Sequence, residues 1–239
     1  MATRDRLNDC LSALAAPYAE ATQHPFLQSA GDATIDPALF SLWLSQDRIY
    51  AAYAYPTFIG ALIASIPFDK LAPLNSVSES ANRRVLKALM GCLDNIVVEI
   101  DFFMAMASKY NLDLGMWQER KATRDYIAEM DSIASSRKLE EGLVFLWAME
   151  KVYLDAWTFV RKKLQETNSE ALPAYSMIMS FVPRWTSEEF VKFVDELAVL
   201  VEAANIPLPR MKEIVGRVVE LEREFWPVTG EEVTMRKVE

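Results

Sequence analysis

The chain has 239 residues, 51% apolar and 25% charged, with a formal net charge of −9. That balance suits a globular chain of one large or two small domains, not a disordered one, and an acidic surplus speaks against a nucleic-acid binder, which needs a basic face for phosphates. No run of 18 uncharged apolar residues exists, so no membrane span is expected, and the opening MATRDRLNDC lacks the apolar stretch of a secretory leader.

Only 7 glycines and long proline-free stretches favour helices. A first helix is predicted near 3–22, bent at Pro17 and ended before His24-Pro25. A second segment, 36–66, opens on Asp36 with Pro37 in the first turn, and Pro56 should kink or split it. A long helix follows at 75–109, then a turn from Asn111 to Gly115. Helices are predicted at 120–135 and 138–167, and another near 173–182 is broken by Pro183. Thr186 three residues before Glu189 reads as a capping box for 187–204. The last helix spans 209–226, and 227–239 reads as a polar tail. With no period-two alternation, repeat or linker, the expectation is one all-α domain over residues 1–239, a bundle of seven to nine helices.

Scarce residues exclude the most. Two distant cysteines, Cys10 and Cys92, make no disulfide framework, so a reducing, cytoplasmic setting is expected. A lone histidine, His24, excludes histidine-rich zinc sites and a ferritin-like di-iron site. No glycine-rich nucleotide cradle and no G-x-S-x-G elbow is present. Metal and cofactor are both expected to be absent. His24, pushed toward extended backbone by Pro25, reads as a pin at a helix end.

The informative feature is where the acids fall. Helical spacing of 3, 4, 3 places Phe40, Trp43, Asp47 and Tyr50 on one face. Cys92, Ile96, Glu99, Phe103 and Met106 form a second such stripe. Trp147, Glu150, Leu154 and Trp157 form a third, and Val215, Val218, Glu222 and Phe225 a fourth. Each stripe is apolar and carries one acid. A buried carboxylate is paired, hydrogen-bonded or protonated. Any single one can be a structural tie, but four on four helices point to a pocket for a cationic or amine-bearing ligand. Glutamates raised toward neutrality there would serve as general acid and base. Glu99 stands between a place in that pocket and a structural role.

These residues also carry a resemblance. His24-Pro25-Phe26-Leu27 followed by Ser45-Gln46-Asp47-Arg48-Ile49-Tyr50 resembles the H-P-F and Q-D-x-x-Y elements of the TenA/thiaminase II family. Ala122-Thr123-Arg124-Asp125-Tyr126, Thr186-Ser187-Glu188-Glu189-Phe190 and Glu222-Arg223-Glu224-Phe225-Trp226 resemble three further motifs in the family's order. The resemblance implies a heme oxygenase-like all-α fold, assembled as a homodimer or homotetramer. It also implies a small-molecule pyrimidine substrate from thiamin breakdown, taken in thiamin salvage. It assigns Asp47 to the ring amine and ring nitrogen, with Tyr50 beside it. Tyr126 takes the central positioning role, Glu222 the acid/base role and Phe225 the ring-packing role. The family's P-C-x-W-x-Y segment matches Leu146 to Tyr153 without a cysteine, so the chain resembles the glutamate class, with Glu150 the candidate for the cysteine's place, Met149 standing there when four residues are counted back from Tyr153, and Tyr153 in the substrate-binding set. Near Tyr175, Ile178 and Phe181 the family's tyrosine–tryptophan pair is replaced, with Tyr175 the candidate to reach the site. The implied chemistry is hydrolysis of an aminomethyl- or formylaminomethyl-pyrimidine by Glu150 and Glu222. The alternatives are a non-catalytic aminopyrimidine binder and a heme protein using His24.

Overall fold

Pro17 has no N–H for the carbonyl of residue 13 and crowds it, so the first helix breaks upstream of the proline. The break falls at Leu14 (φ −111°, ψ 16°), between α1 (Asp5–Ala13) and α2 (Ala15–Thr22). This is seen in a computed structural model that describes residues 5–166 and 170–237. The expected helix ends at residues 3 and 167, and the tail residues 238–239, lie outside those described. A helix the sequence reading missed follows, α3 (Pro25–Gly31). Pro25 takes its first position, and His24 caps it, Nδ1 accepting from Phe26 N at 3.2 Å.

Asp36 caps α4 (Pro37–Ile49) through Ala38 N at 2.7 Å. The 36–66 segment divides as expected, but ahead of Pro56. A π-helical turn over Tyr50–Ala54, with Tyr55 N–H bonded to Tyr50 O, leads directly into α5 (Tyr55–Ala64). The wider turn rearranges the backbone bonds just before the proline, which donates none. Ser76 caps α6 (Val77–Tyr110), which ends at Asn111 in the left-handed region (φ 53°).

Then come α7 (Lys121–Ser135), α8 (Leu139–Glu166) and α9 (Tyr175–Thr186). Here the expected break at Pro183 is corrected, because Pro183 lies inside α9. The carbonyl its ring frees belongs to Met179, an exposed residue one turn earlier. The cap of α10 (Glu188–Ala203) is Ser187, not Thr186: Ser187 Oγ accepts from Phe190 N at 3.2 Å, while Thr186 Oγ1 bonds Val182 O. After α11 (Leu208–Phe225), the expected polar tail contains a further turn, α12 (Glu231–Thr234). It docks on the 115–118 loop, where Lys237 N bonds Met116 O and Gln118 N bonds Met235 O, both at 2.8 Å. Among the described residues, the breaks at Leu14 and the π turn, with α3 and α12, raise the tally above the expected seven to nine.

α8 is the central post. It packs against α2, α3, α9, α10 and α11. A Cβ at Gly31 would stand 2.7 Å from Lys163 Cβ, so α3 lies this close to α8 only with glycine there. The buried side chains form one connected core. Its centre is aromatic: Trp43 stands 4.9 Å from Phe40, 5.5 Å from Trp157 and 6.1 Å from Trp226, ring centre to ring centre. Among the described residues no helix is long and apolar enough to cross a membrane.

Candidate active site

The four acid-bearing stripes converge. Asp47 from α4, Glu99 from α6, Glu150 from α8 and Glu222 from α11 all line one cavity of about 130 Å³. Asp47 is 4% exposed and Glu222 2%. Tyr50, Tyr126, Tyr153 and Phe225 line it too. Three of these rings form a wall of edge-on contacts: Tyr50–Tyr126 at 5.4 Å, Tyr126–Phe225 at 5.8 Å and Tyr50–Phe225 at 6.1 Å. The α8 residues that face the cavity are Met149, Glu150 and Tyr153, while Trp157 joins the aromatic core.

The acids differ in how their oxygens are used. Glu99 is satisfied by the protein: Arg184 Nη2 donates to its Oε2 at 3.0 Å and Trp185 Nε1 to its Oε1 at 3.3 Å. Glu150 Oε1 accepts from Tyr55 at 2.6 Å, and Glu222 Oε1 accepts from Tyr126 at 2.6 Å. Asp47 Oδ2, Glu222 Oε2 and the Tyr153 hydroxyl are buried with no hydrogen-bond partner among the described residues. No hydrogen bond of ordinary geometry joins Tyr153 to Asp47, although the phenol is near enough to ease the Asp47 charge. Unpartnered buried oxygens are costly unless a ligand or water meets them.

Burial dominates the proton affinities. It pushes Glu222 up to about 8, with the Tyr126 hydrogen bond pulling down and the Glu150 charge pushing up. It pushes Glu150 up to about 7, opposed by the Tyr55 hydrogen bond and reinforced by Glu99. Asp47 is raised well above the ordinary range by burial and then by Glu99. Burial also raises Glu99, and Arg184 and Trp185 counter it. The site therefore holds protonated acids near neutral pH, with Glu150 the more readily ionised of the Glu150–Glu222 pair.

Several cavity residues were not singled out in the sequence. Tyr55 lies five positions after Tyr50, outside any α-helical stripe. The π turn brings their rings to 5.9 Å. Arg184 and Trp185 carried no signal, because Pro183 masked the helix they belong to. Cys92 had a signal, its place on the Glu99 stripe, and it too faces the cavity. Burial and the Glu150 charge push its thiol up to about 12, so it stays protonated. Tyr175 does not reach the site; it lines a separate cleft with Arg161 and Met179. Ile178 is fully buried and Phe181 packs on Phe40 at 4.9 Å. His24, held neutral by burial with its affinity lowered to about 4, is not part of the cavity wall. Among the described residues no group of three His, Cys, Asp or Glu side chains is placed to hold a metal ion.

Comparison with known proteins agrees with this architecture. A TenA homologue from Pyrococcus furiosus shares the fold, with TM-score 0.73 and 22% identity over 92% of this chain and 98% of that one. A putative TenA-like thiaminase from Sulfolobus solfataricus also shares it, with TM-score 0.67 and 13% identity over 95% of each chain. The chain is 25% identical over 215 residues to a Glycine max protein described as a probable bifunctional TENA-E protein, covering 87% of this chain and 86% of that one. It is 29% identical over 205 residues to a Fusarium pseudograminearum protein described as a probable transcription factor, but that match covers 73% of this chain and only 40% of the longer relative. The fold is the all-α heme oxygenase-like bundle, and the TENA/THI-4/PQQC family pattern matches residues 11–232. The chain belongs to the TENA/THI-4/PQQC family.

Proposed function

We propose that this protein hydrolyses an aminomethyl- or formylaminomethyl-pyrimidine in thiamin salvage, using two glutamates and no cysteine nucleophile. One observation carries the reading: Asp47 Oδ2 and Glu222 Oε2 are buried, unpartnered acceptors in the same cavity, with Glu150 beside them. A planar ligand bearing N–H donors meets both. The thiamin-related setting draws on the names of the Glycine max and Sulfolobus solfataricus relatives.

Protonated Asp47 pairs with the amidine-like edge of the ring, its O–H donating to the ring nitrogen and its carbonyl oxygen accepting from the ring amine. Tyr50, Tyr126 and Phe225 confine the ring. For an aminomethyl substrate, Glu150 takes a proton from water. The water oxygen bonds to the exocyclic methylene, the carbon–nitrogen bond breaks, and the Glu222 proton goes to the departing nitrogen. The products are the hydroxymethyl pyrimidine and ammonia. With two acids of different proton affinity, the higher one, Glu222, suits the acid and the lower one, Glu150, the base. For a formylated substrate, the same pair delivers water to the formyl carbon, releasing formate and the amine. Assembly as a homodimer or homotetramer, implied by the family resemblance, is part of the same proposal.

The test is to incubate the protein with 4-amino-5-aminomethyl-2-methylpyrimidine, its N-formyl derivative and thiamin, and to follow products by mass. Release of hydroxymethyl pyrimidine or formate is the expected result. Binding of all three with turnover of none would overturn the hydrolase reading in favour of an aminopyrimidine-binding protein.

A further inference from the structure

Behind the cavity wall lies a buried hydrogen-bond junction that lines no part of the cavity. Its centre is Gln46, next to Asp47 in α4 and fully buried. Gln46 Oε1 accepts from Arg120 N and from Thr123 Oγ1, both at 2.8 Å, and Nε2 donates to Gln118 O at 3.0 Å. Both oxygen lone pairs are thus committed to the start of α7. Tyr126 stands three residues past Thr123, on the same face of that helix.

Arg120 reaches the other way. Its Nη1 donates to the backbone carbonyls of Glu224 at 3.1 Å and Phe225 at 2.6 Å, which close α11. Its Nη2 pairs with Glu231 Oε2 of α12 at 2.8 Å. Glu222 lies in that last turn of α11. One residue, 120, therefore ties together the three elements that bring Asp47, Tyr126 and Glu222 to the cavity. Apolar packing could join three helices without the cost of burying an amide and a guanidinium. What hydrogen bonds add is fixed distance and direction, which the 2.6 Å Tyr126–Glu222 contact needs.

We infer that Gln46 and Arg120 form a positioning junction that sets the Tyr126–Glu222 hydrogen bond and so holds Glu222 in place for proton transfer. The inference rests on the acid role proposed for Glu222, but its first test does not require turnover. Glu222 interacts with Tyr126 of α7, Glu150 and Tyr153 of α8, Asp47 of α4, Tyr50 of the π turn and Tyr18 of α2. The Tyr126 bond lowers its proton affinity, so loosening that bond raises it.

The experiment follows the side-chain carboxyl carbon of Glu222 by NMR through a pH titration, in the wild type and four variants. Thr123→Val removes one hydroxyl from the junction, and Gln46→Met removes its centre. Both are expected to raise the Glu222 midpoint, Gln46→Met more. Gln46→Glu, which while protonated keeps the acceptor and one donor, is expected to restore the wild-type midpoint below its own ionisation. Ser41→Ala is the control. It breaks the Ser41–Asp113 and Trp117–Ser41 bonds elsewhere on α4, and is expected to lower the melting temperature without moving Glu222. In the hydrolysis assay, Gln46→Met is expected to cut kcat by about tenfold with KM changed by less than about twofold. A wild-type Glu222 midpoint in folded Gln46→Met and Thr123→Val, or an equal shift in Ser41→Ala, would overturn the junction. If Gln46→Met does not fold, Thr123→Val decides. If the wild type turns over no pyrimidine, the functional reading fails alone and the titration still decides this one.

Discussion

Glu150 of α8 and Glu222 of α11 each accept from one tyrosine hydroxyl at 2.6 Å and differ in the charges around them. Burial raises Glu150, the Tyr55 hydroxyl lowers it, the Glu99 charge raises it and the Arg184 charge lowers it. Glu222 takes a tyrosine hydroxyl but is pushed up by the Glu150 charge. The acid and base roles proposed for Glu222 and Glu150 follow that order of affinities. Cys92 shares the cavity, yet a thiol pushed up to about 12 supplies almost no thiolate near neutral pH. Cys92→Ala is therefore expected to retain hydrolysis to within about threefold, since the loss of a bystander removes no transition-state contact. Measuring kcat/KM of that variant checks it; a drop of three decades would move the nucleophile from water to the thiol.

At the scale of the element, proline and its neighbours explain both what the sequence reading found and what it missed. Asp36-Pro37 carries a local signal, and α4 begins where Asp36 caps it. The stripes on α4, α6, α8 and α11 each hold an acid that faces the cavity, because helical periodicity survives folding. Tyr55 escaped because a π turn alters the phase of the helix, which a fixed 3.6-residue period cannot represent. Pro183 misled in the opposite sense: a proline near the end of a helix frees a carbonyl that solvent can satisfy. The missed α3 depends on His24, whose Nδ1 must be unprotonated to accept from Phe26 N. His24→Ala is expected to cost about 1 kcal/mol of stability and His24→Asn, which keeps the acceptor, only a few tenths. Denaturant unfolding of both variants distinguishes a capping residue from a mere spacer, for which the two losses are equal.

For the whole molecule, the buried acids set a pH dependence. Glu150 and Glu222 give up protons in the unfolded chain near 4.5 and in the fold at about 7 and about 8. Between those values the fold binds more protons than the unfolded chain, so stability falls as pH rises. The loss begins above 4.5 and levels off past about 8. The melting temperature is accordingly expected to fall by several degrees from about pH 5.5 to about pH 8.5, and a Glu150→Gln, Glu222→Gln double variant to reduce the slope, with Asp47 and Glu99 supplying the remainder. An unchanged slope in the double variant would place the titration elsewhere. The all-α class was legible in composition and periodicity, and the cavity acids in their stripes. What joins them was not. Gln46 reaches Thr123 across 77 residues and Arg120 reaches Phe225 across 105, pairings that no local pattern encodes.

The most direct test of the carboxylate mechanism is the hydrolysis rate of Glu150→Gln on the pyrimidine that the wild type turns over best, measured beside its affinity for that compound. The glutamine keeps the shape and an acceptor for Tyr55 but cannot take a proton from water. The carboxylate mechanism predicts near-wild-type binding and kcat lower by about a thousandfold or more. A Glu150→Gln protein that releases product at the wild-type rate would contradict it.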